Sequence, residues 1–147
     1  MEDSSRPRLL VLGEPHSITL TRICPLEGIV DLKIAKSLED ACFLLPEAEI
    51  VFVWESAGMW LKRQWKQAKR LKWVHFSGVG MESLLFPELV ESNVLLTNAR
   101  GYYSNSLAEF ALAAMFYFAK DFPRLQQNKL SRGWDRVWFS ARRVGTT

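Results

Sequence analysis

Thr97–Lys120 reads TNARGYYSNSLAEFALAAMFYFAK, and its second half sets what the fold must provide. Between Leu107 and Ala119 the only charged residue is Glu109. At about 100° per residue, Phe116 and Phe118 fall on nearly opposite sides of a helix, and Phe110 and Leu112 are also far apart. A helix that is apolar all round is buried all round. The run falls short of the ~20 residues that a bilayer span needs. The expectation is therefore a helix lying between two layers of protein.

Before this stretch, short apolar runs alternate with helical ones. Arg8–Leu12, RLLVL, stops at Gly13 and has the pattern of a buried strand. His16–Arg22 is compatible with a short helix. Val30–Ala35 alternates apolar and charged residues, as a half-exposed strand does. Ser37 followed by Asp40 forms a capping box with Asp in place of Glu, opening a helix that Pro46 closes. Glu49–Trp54, EIVFVW, is a third strand. Met59–Leu71 predicts a helix with Leu61, Trp65 and Ala68 on one face. Lys72–Phe76, KWVHF, is a fourth strand, and Ser77–Gly80 a tight turn into a short helix from Met81. Glu88–Ser92 gives one helical turn and Asn93–Thr97, NVLLT, a fifth strand. Apolar strands without a clean polar face, alternating with helices, predict a parallel sheet covered on both sides. The expected fold is α/β, a doubly wound parallel sheet of about five strands, followed by the long apolar helix and a C-terminal helical arm. The expected divisions are residues 1–100, 101–136 and 137–147.

Composition narrows the function. The chain has 147 residues, 48% of them hydrophobic, enough for one ordinary domain with a core. A net charge of +3 and a pI of about 9.0 do not by themselves indicate nucleic acid. Lys62, Arg63, Lys66, Lys69 and Arg70 cluster on one helix. They form either a nucleic-acid face or a solvated surface, and the lack of interleaved aromatics favours the second. The N-terminus, MEDSSRPR, has no apolar segment, so neither a secretory signal nor a transit peptide is expected. Cys24 and Cys42 have no metal-ligand or CxxC spacing and fit a reducing compartment. A cytoplasmic protein without metal, membrane or nucleic-acid partner is the resulting expectation.

In a doubly wound sheet, ligands bind beyond the carboxyl ends of the strands. Ser77-Gly78-Val79-Gly80 occupies one such end. Its backbone N–H groups are able to converge on an anion; equally, the two glycines are able to serve a tight turn alone. A dinucleotide fingerprint is absent, because Ser83 stands where a third glycine would be and no acidic residue follows Thr97-Asn98. His75 lies within a strand, where a satisfied structural histidine is the commoner case. Arg100, beside Gly101, reads as a solvent-exposed turn arginine.

LKWVHFSGVGMESL, PELVESNVLLTNARG, SNSLAEFALAAMF and GWDR, in that order and spacing, resemble the D-isomer-specific 2-hydroxyacid dehydrogenases over Leu71–Asp135. The resemblance implies a flavodoxin-like first domain that helps bind a 2-keto or 2-hydroxy acid, and a second, Rossmann domain for NAD or NADP. It implies substrate contacts at Ser77, Gly78, Val79 and Gly80, through the loop amides. It further implies a substrate wall at Trp54 and Glu55, a substrate contact at Asn105, and a place near the nicotinamide for Ser106. The apolar helix would be the family's crossing between domains, packed on the Rossmann domain.

The sequence then departs from the family. An LxGKxxGIxGxGxIG segment would follow, but VWFSARRVGTT stands after GWDR. No catalytic Arg, Glu or His of the family can be assigned, so no catalytic residue is named. The expectation is a truncated, substrate-binding portion of an NAD(P)-dependent oxidoreductase, inactive alone and unable to bind the cofactor by itself. The alternative is a non-catalytic module that pairs with a full-length homologue, as a homo- or hetero-oligomer through residues 104–134. An independent flavodoxin-like binder of small ligands is a third possibility.

Overall fold

The structure, a computed structural model, describes residues 6–13, 23–54 and 57–134. The helix expected at His16–Arg22 and the tail expected at 137–147 lie outside them. The chain divides into two compact units, Met1–Arg100 and Gly101–Thr147.

The first unit is built on five strands, β1 (Arg8–Leu12), β2 (Asp31–Ala35), β3 (Ile50–Val53), β4 (Trp73–Phe76) and β5 (Leu95–Asn98). They form one sheet in the order β2-β1-β3-β4-β5, with every pairing parallel. Between the strands lie α1 (Leu38–Leu44), α2 (Gly58–Gln64) and α3 (Pro87–Val90), with 3-10 turns at Cys24–Gly28, Leu45–Glu47 and Trp65–Gln67. The α/β architecture expected from the alternating pattern is the one observed.

Local chemistry explains the boundaries. Ser37 Oγ accepts from the Asp40 amide at 3.0 Å, and Asp40 Oδ2 accepts from the Ser37 amide at 3.1 Å. This reciprocal box satisfies two amides and starts α1. The helix expected over Met59–Leu71 stops at Gln64 and tightens into a 3-10 turn, where Trp65 meets Phe86 edge-on at 5.2 Å. The short helix expected from Met81 does not form. Leu84 and Phe86 are both buried, a spacing of two that a helix would send to different sides. The separate helical turn expected over Glu88–Ser92 does form, as Pro87–Val90, and the fixed φ of Pro87 suits the first helical position.

One face of the sheet carries the core. Leu10, Leu12, Val51, Val53, Val74 and Phe76 are buried there, under Leu45 and Leu61 from the helical side and Leu84 from the loop. The other face is covered unevenly. Along the in-register row Leu9, Ile50, Trp73, Leu95, exposure rises from 8% at Leu9 to 38% at Trp73 and 58% at Leu95.

The second unit holds α4 (Ser104–Ala119) and α5 (Phe122–Leu130). Tyr117 stacks on Phe122 at 5.8 Å, joining the two helices. None of the residues of α4 is buried, and Phe110 and Phe118 are 73% and 72% exposed. The expectation of a helix enclosed between two layers is thus not met. A nine-residue neighbour has too little surface to enclose a sixteen-residue helix on every side. No described helix is long and apolar enough to cross a membrane.

Candidate functional site at the strand ends

The carboxyl ends of β3 and β4 bring Trp54 next to Ser77–Gly80. The Trp54 amide donates to Leu12 O at 2.9 Å, and the Ser77 amide donates to Val53 O at 3.0 Å, so each continues the ladder one residue past its strand. Gly13 stands at the end of β1 with φ +111, and a Cβ there would come within 2.8 Å of Trp54 Cβ. Glycine at position 13 thus lets Trp54 sit close against the end of β1.

After Ser77 the chain leaves the ladder. Among the described residues, the amides of Gly78, Val79 and Gly80 donate to no protein acceptor. Three successive amides without partners at a strand end form a small patch of donors suited to a carboxylate or phosphate oxygen. No helix follows directly, so the patch lacks the helix dipole that the sequence reading allowed it. Gly78 is buried, and a Cβ on it would meet the Phe76 ring at 2.6 Å. The first glycine is therefore required by the core beneath the loop. Ser77 Oγ is buried without a hydrogen-bond partner.

Asn98 is the residue that the sequence reading missed. Its Nδ2 donates to Val79 O, and its Oδ1 accepts from the Arg100 amide at 3.3 Å. The Ala99 amide donates to Gly78 O at 3.1 Å. The end of β5 thus holds the glycine loop by its carbonyls and leaves its amides clear. The available signal was the Asn itself, a habitual turn former by its side chain, two residues before Arg100.

His75 lies one turn of the pleat below. Its Nδ1 is 2.9 Å from Thr97 Oγ1, which also accepts from Trp73 Nε1 at 2.8 Å. The indole is a donor only, so Thr97 Oγ1 accepts from it, while the direction of the Thr97–His75 bond follows the imidazole tautomer. Phe52 stacks on the ring at 5.5 Å. Burial pushes the His75 pKa below its ordinary value. This is a structural histidine, in line with the sequence reading.

Of the other expected site residues, Glu55 lies outside the described residues. Asn105 and Ser106 are exposed in the first turn of α4, in the second unit. Among the described residues no group of acidic, His or Cys side chains is arranged to hold a metal. The glycine loop does not fit a dinucleotide either: it runs into a turn instead of a helix, and Asn98 and Ala99, not an acid, follow at the end of β5.

No protein-family model and no curated protein matches the chain. Solved structures do. A D-isomer-specific 2-hydroxyacid dehydrogenase family protein from Aeromonas salmonicida superposes with a TM-score of 0.64 at 20% identity, over 91% of this chain and 43% of its own. The fold is shared with these dehydrogenases. D-lactate dehydrogenase from Aquifex aeolicus, crystallised with NAD and lactic acid, matches with a TM-score of 0.61 at 19% identity, over 92% of this chain and 41% of its own. An NADPH-dependent glyoxylate/hydroxypyruvate reductase from Sinorhizobium meliloti, in complex with NADP and malonate, matches at 0.58 and 18% identity, over 94% of this chain and 42% of its own. The chain therefore spans less than half the length of these similar structures.

Proposed function

We propose that these residues form the substrate-binding portion of an NAD(P)-dependent oxidoreductase acting on the CH–OH group of D-2-hydroxy acids, with 2-keto acids of the glyoxylate or hydroxypyruvate type as its reducible substrates. The observation that carries the reading is the Ser77–Gly80 loop with three unpartnered amides, on a fold shared with 2-hydroxyacid dehydrogenases. In this reading the amides of Gly78, Val79 and Gly80 donate to the substrate carboxylate, and Trp54 flanks the substrate. The buried Ser77 hydroxyl supplies a further donor at the loop's base. Glu55 and Asn105 are proposed as further substrate contacts, and Ser106 as a neighbour of the nicotinamide. A nicotinamide cofactor, when bound, supplies or takes up the hydride. No residue described here is assigned to hold it, and these residues alone are expected to be inactive. The free Cys42 thiol is consistent with a reducing, cytoplasmic setting.

The test is an amide NMR titration of the chain with glyoxylate and with hydroxypyruvate. The expected result is saturable shifts at Gly78, Val79 and Gly80, lost in a Gly80→Pro variant that removes one donor. Flat titrations with both acids sink the reading.

The exposed apolar surface of α4 favours a second reading, a non-catalytic module that pairs with a full-length homologue. Patches of this kind mark interaction surfaces. Sedimentation of the chain with and without such a homologue decides it: a defined mixed complex supports pairing, and independent sedimentation rejects it.

A further inference from the structure

At the opposite end of the sheet, before β4 and β5 begin, a groove of about 690 Å³ opens between the end of α2 and the loop after α3. Its lining includes Trp65, Lys66, Lys69, Lys72, Asn93 and Val94, and contains no acidic residue. Several cations of this unit are paired. Arg8 and Arg70 share Glu47, Lys33 meets Asp31, and Lys72 meets Glu49 at 2.6 Å. Lys66 and Lys69 have no such partner among the described residues, and the Asn93 side chain makes no hydrogen bond there. Two unneutralised ammonium groups, a third held by only one carboxylate and a free amide therefore face one concavity.

We propose that this groove binds a small polyanion carrying two or more phosphate groups. Lysine ammonium groups act as point charges that suit phosphate oxygens from several directions. Planar, bidentate recognition of a single carboxylate would call for arginine, and Arg70, the arginine beside the groove, is committed to Glu47. Lys66 on the 3-10 turn after α2, with Lys69 and Lys72 on the segment that leads into β4, are spaced to match a ligand with more than one anionic centre. The site is separate from the glycine loop and does not rest on the function proposed above.

The experiment is calorimetric titration of the full chain with inorganic tripolyphosphate, with orthophosphate and a single-stranded oligonucleotide as comparators. The groove is altered by Lys66→Gln/Lys69→Gln, and the control is Lys62→Gln/Arg63→Gln, which removes the same charge outside the groove lining. The expected result is saturable tripolyphosphate binding, stronger than orthophosphate, weakened about tenfold or more in the groove variant and about twofold or less in the control. Both double variants change exposed side chains only, and circular dichroism checks their fold. Equal loss in the two variants means diffuse attraction and overturns the proposal. So does the absence of binding, or an oligonucleotide that binds more tightly than tripolyphosphate.

Discussion

Val74 and Trp73 are neighbours on β4 and point to opposite faces of the same sheet. Val74 is fully buried in a core closed by helices, whereas Trp73 is 38% exposed. The two faces are comparably apolar in sequence, so apolarity alone did not distinguish them. On the core face, capping at Ser37, the buried Leu45 and Leu61, and the Leu84–Phe86 segment supply a lid. On the other, cover is complete at Val11 on β1 and thins toward β5. Helix α4 makes the same point more strongly, being apolar without being buried. An apolar pattern states that cover is required and leaves open what provides it.

Truncation on each face gives the widest contrast. Leu61→Ala should destabilise by ~2–5 kcal/mol, as large-to-small changes in sealed cores do. Leu95→Ala, on the open face, should cost less than about 0.5 kcal/mol. Urea unfolding of both variants measures the gap. Equal losses would mean that in solution the open face is covered as tightly as the core.

Gly78→Ala sharpens the link between the core face and the loop. Its Cβ would press into the Phe76 ring, and overpacking of this kind costs ~1–3 kcal/mol. The amides beyond it should shift with the ring, so binding of a 2-keto acid should weaken together with stability. A stable variant with unchanged amide shifts would show that Phe76 yields freely. Asn98→Ala should cost less, ~1 kcal/mol for the lost clamp on Val79 O and the Arg100 amide. Its larger effect is expected on loop order, read as faster hydrogen exchange at Gly78–Gly80 than in the parent chain.

The sheet was legible because strand recognition depends on local pattern. RLLVL, EIVFVW and KWVHF each declare themselves, and the Ser37–Asp40 box fixes a helix start within a residue. The end of α2 and the segment after Met81 were not legible, because there the packing of half-buried Trp65 and the burial of Leu84 and Phe86 override helical preference. At the candidate site, the glycine loop stood out by composition. The Asn98 clamp joins positions that are distant in sequence, and only the β4–β5 register brings them together. Helix α4 is a different case: the pattern reports a need for cover that this chain's described residues do not meet.

The smallest expected effect bears directly on how open the second face is. Burial against Phe52 and Trp73 lowers the His75 pKa from its ordinary value of 6.5. The unfolded chain then binds this proton more readily than the folded one, so stability rises with pH through the interval between the two pKa values. Above the unfolded value the imidazole is neutral in both states and costs nothing. As pH falls through that value toward the depressed folded one, folding must increasingly exclude a proton, and stability is lost. His75→Gln keeps a polar side chain beside Thr97 and removes the titration. Between about pH 7.5 and about pH 5, its urea midpoint should fall less than that of the parent chain. Identical falls would place His75 in contact with water, and the thin cover at β4 would then be no cover at all. A much steeper fall in the parent chain would place the ring in a sealed environment and remove the asymmetry between the two faces at this strand.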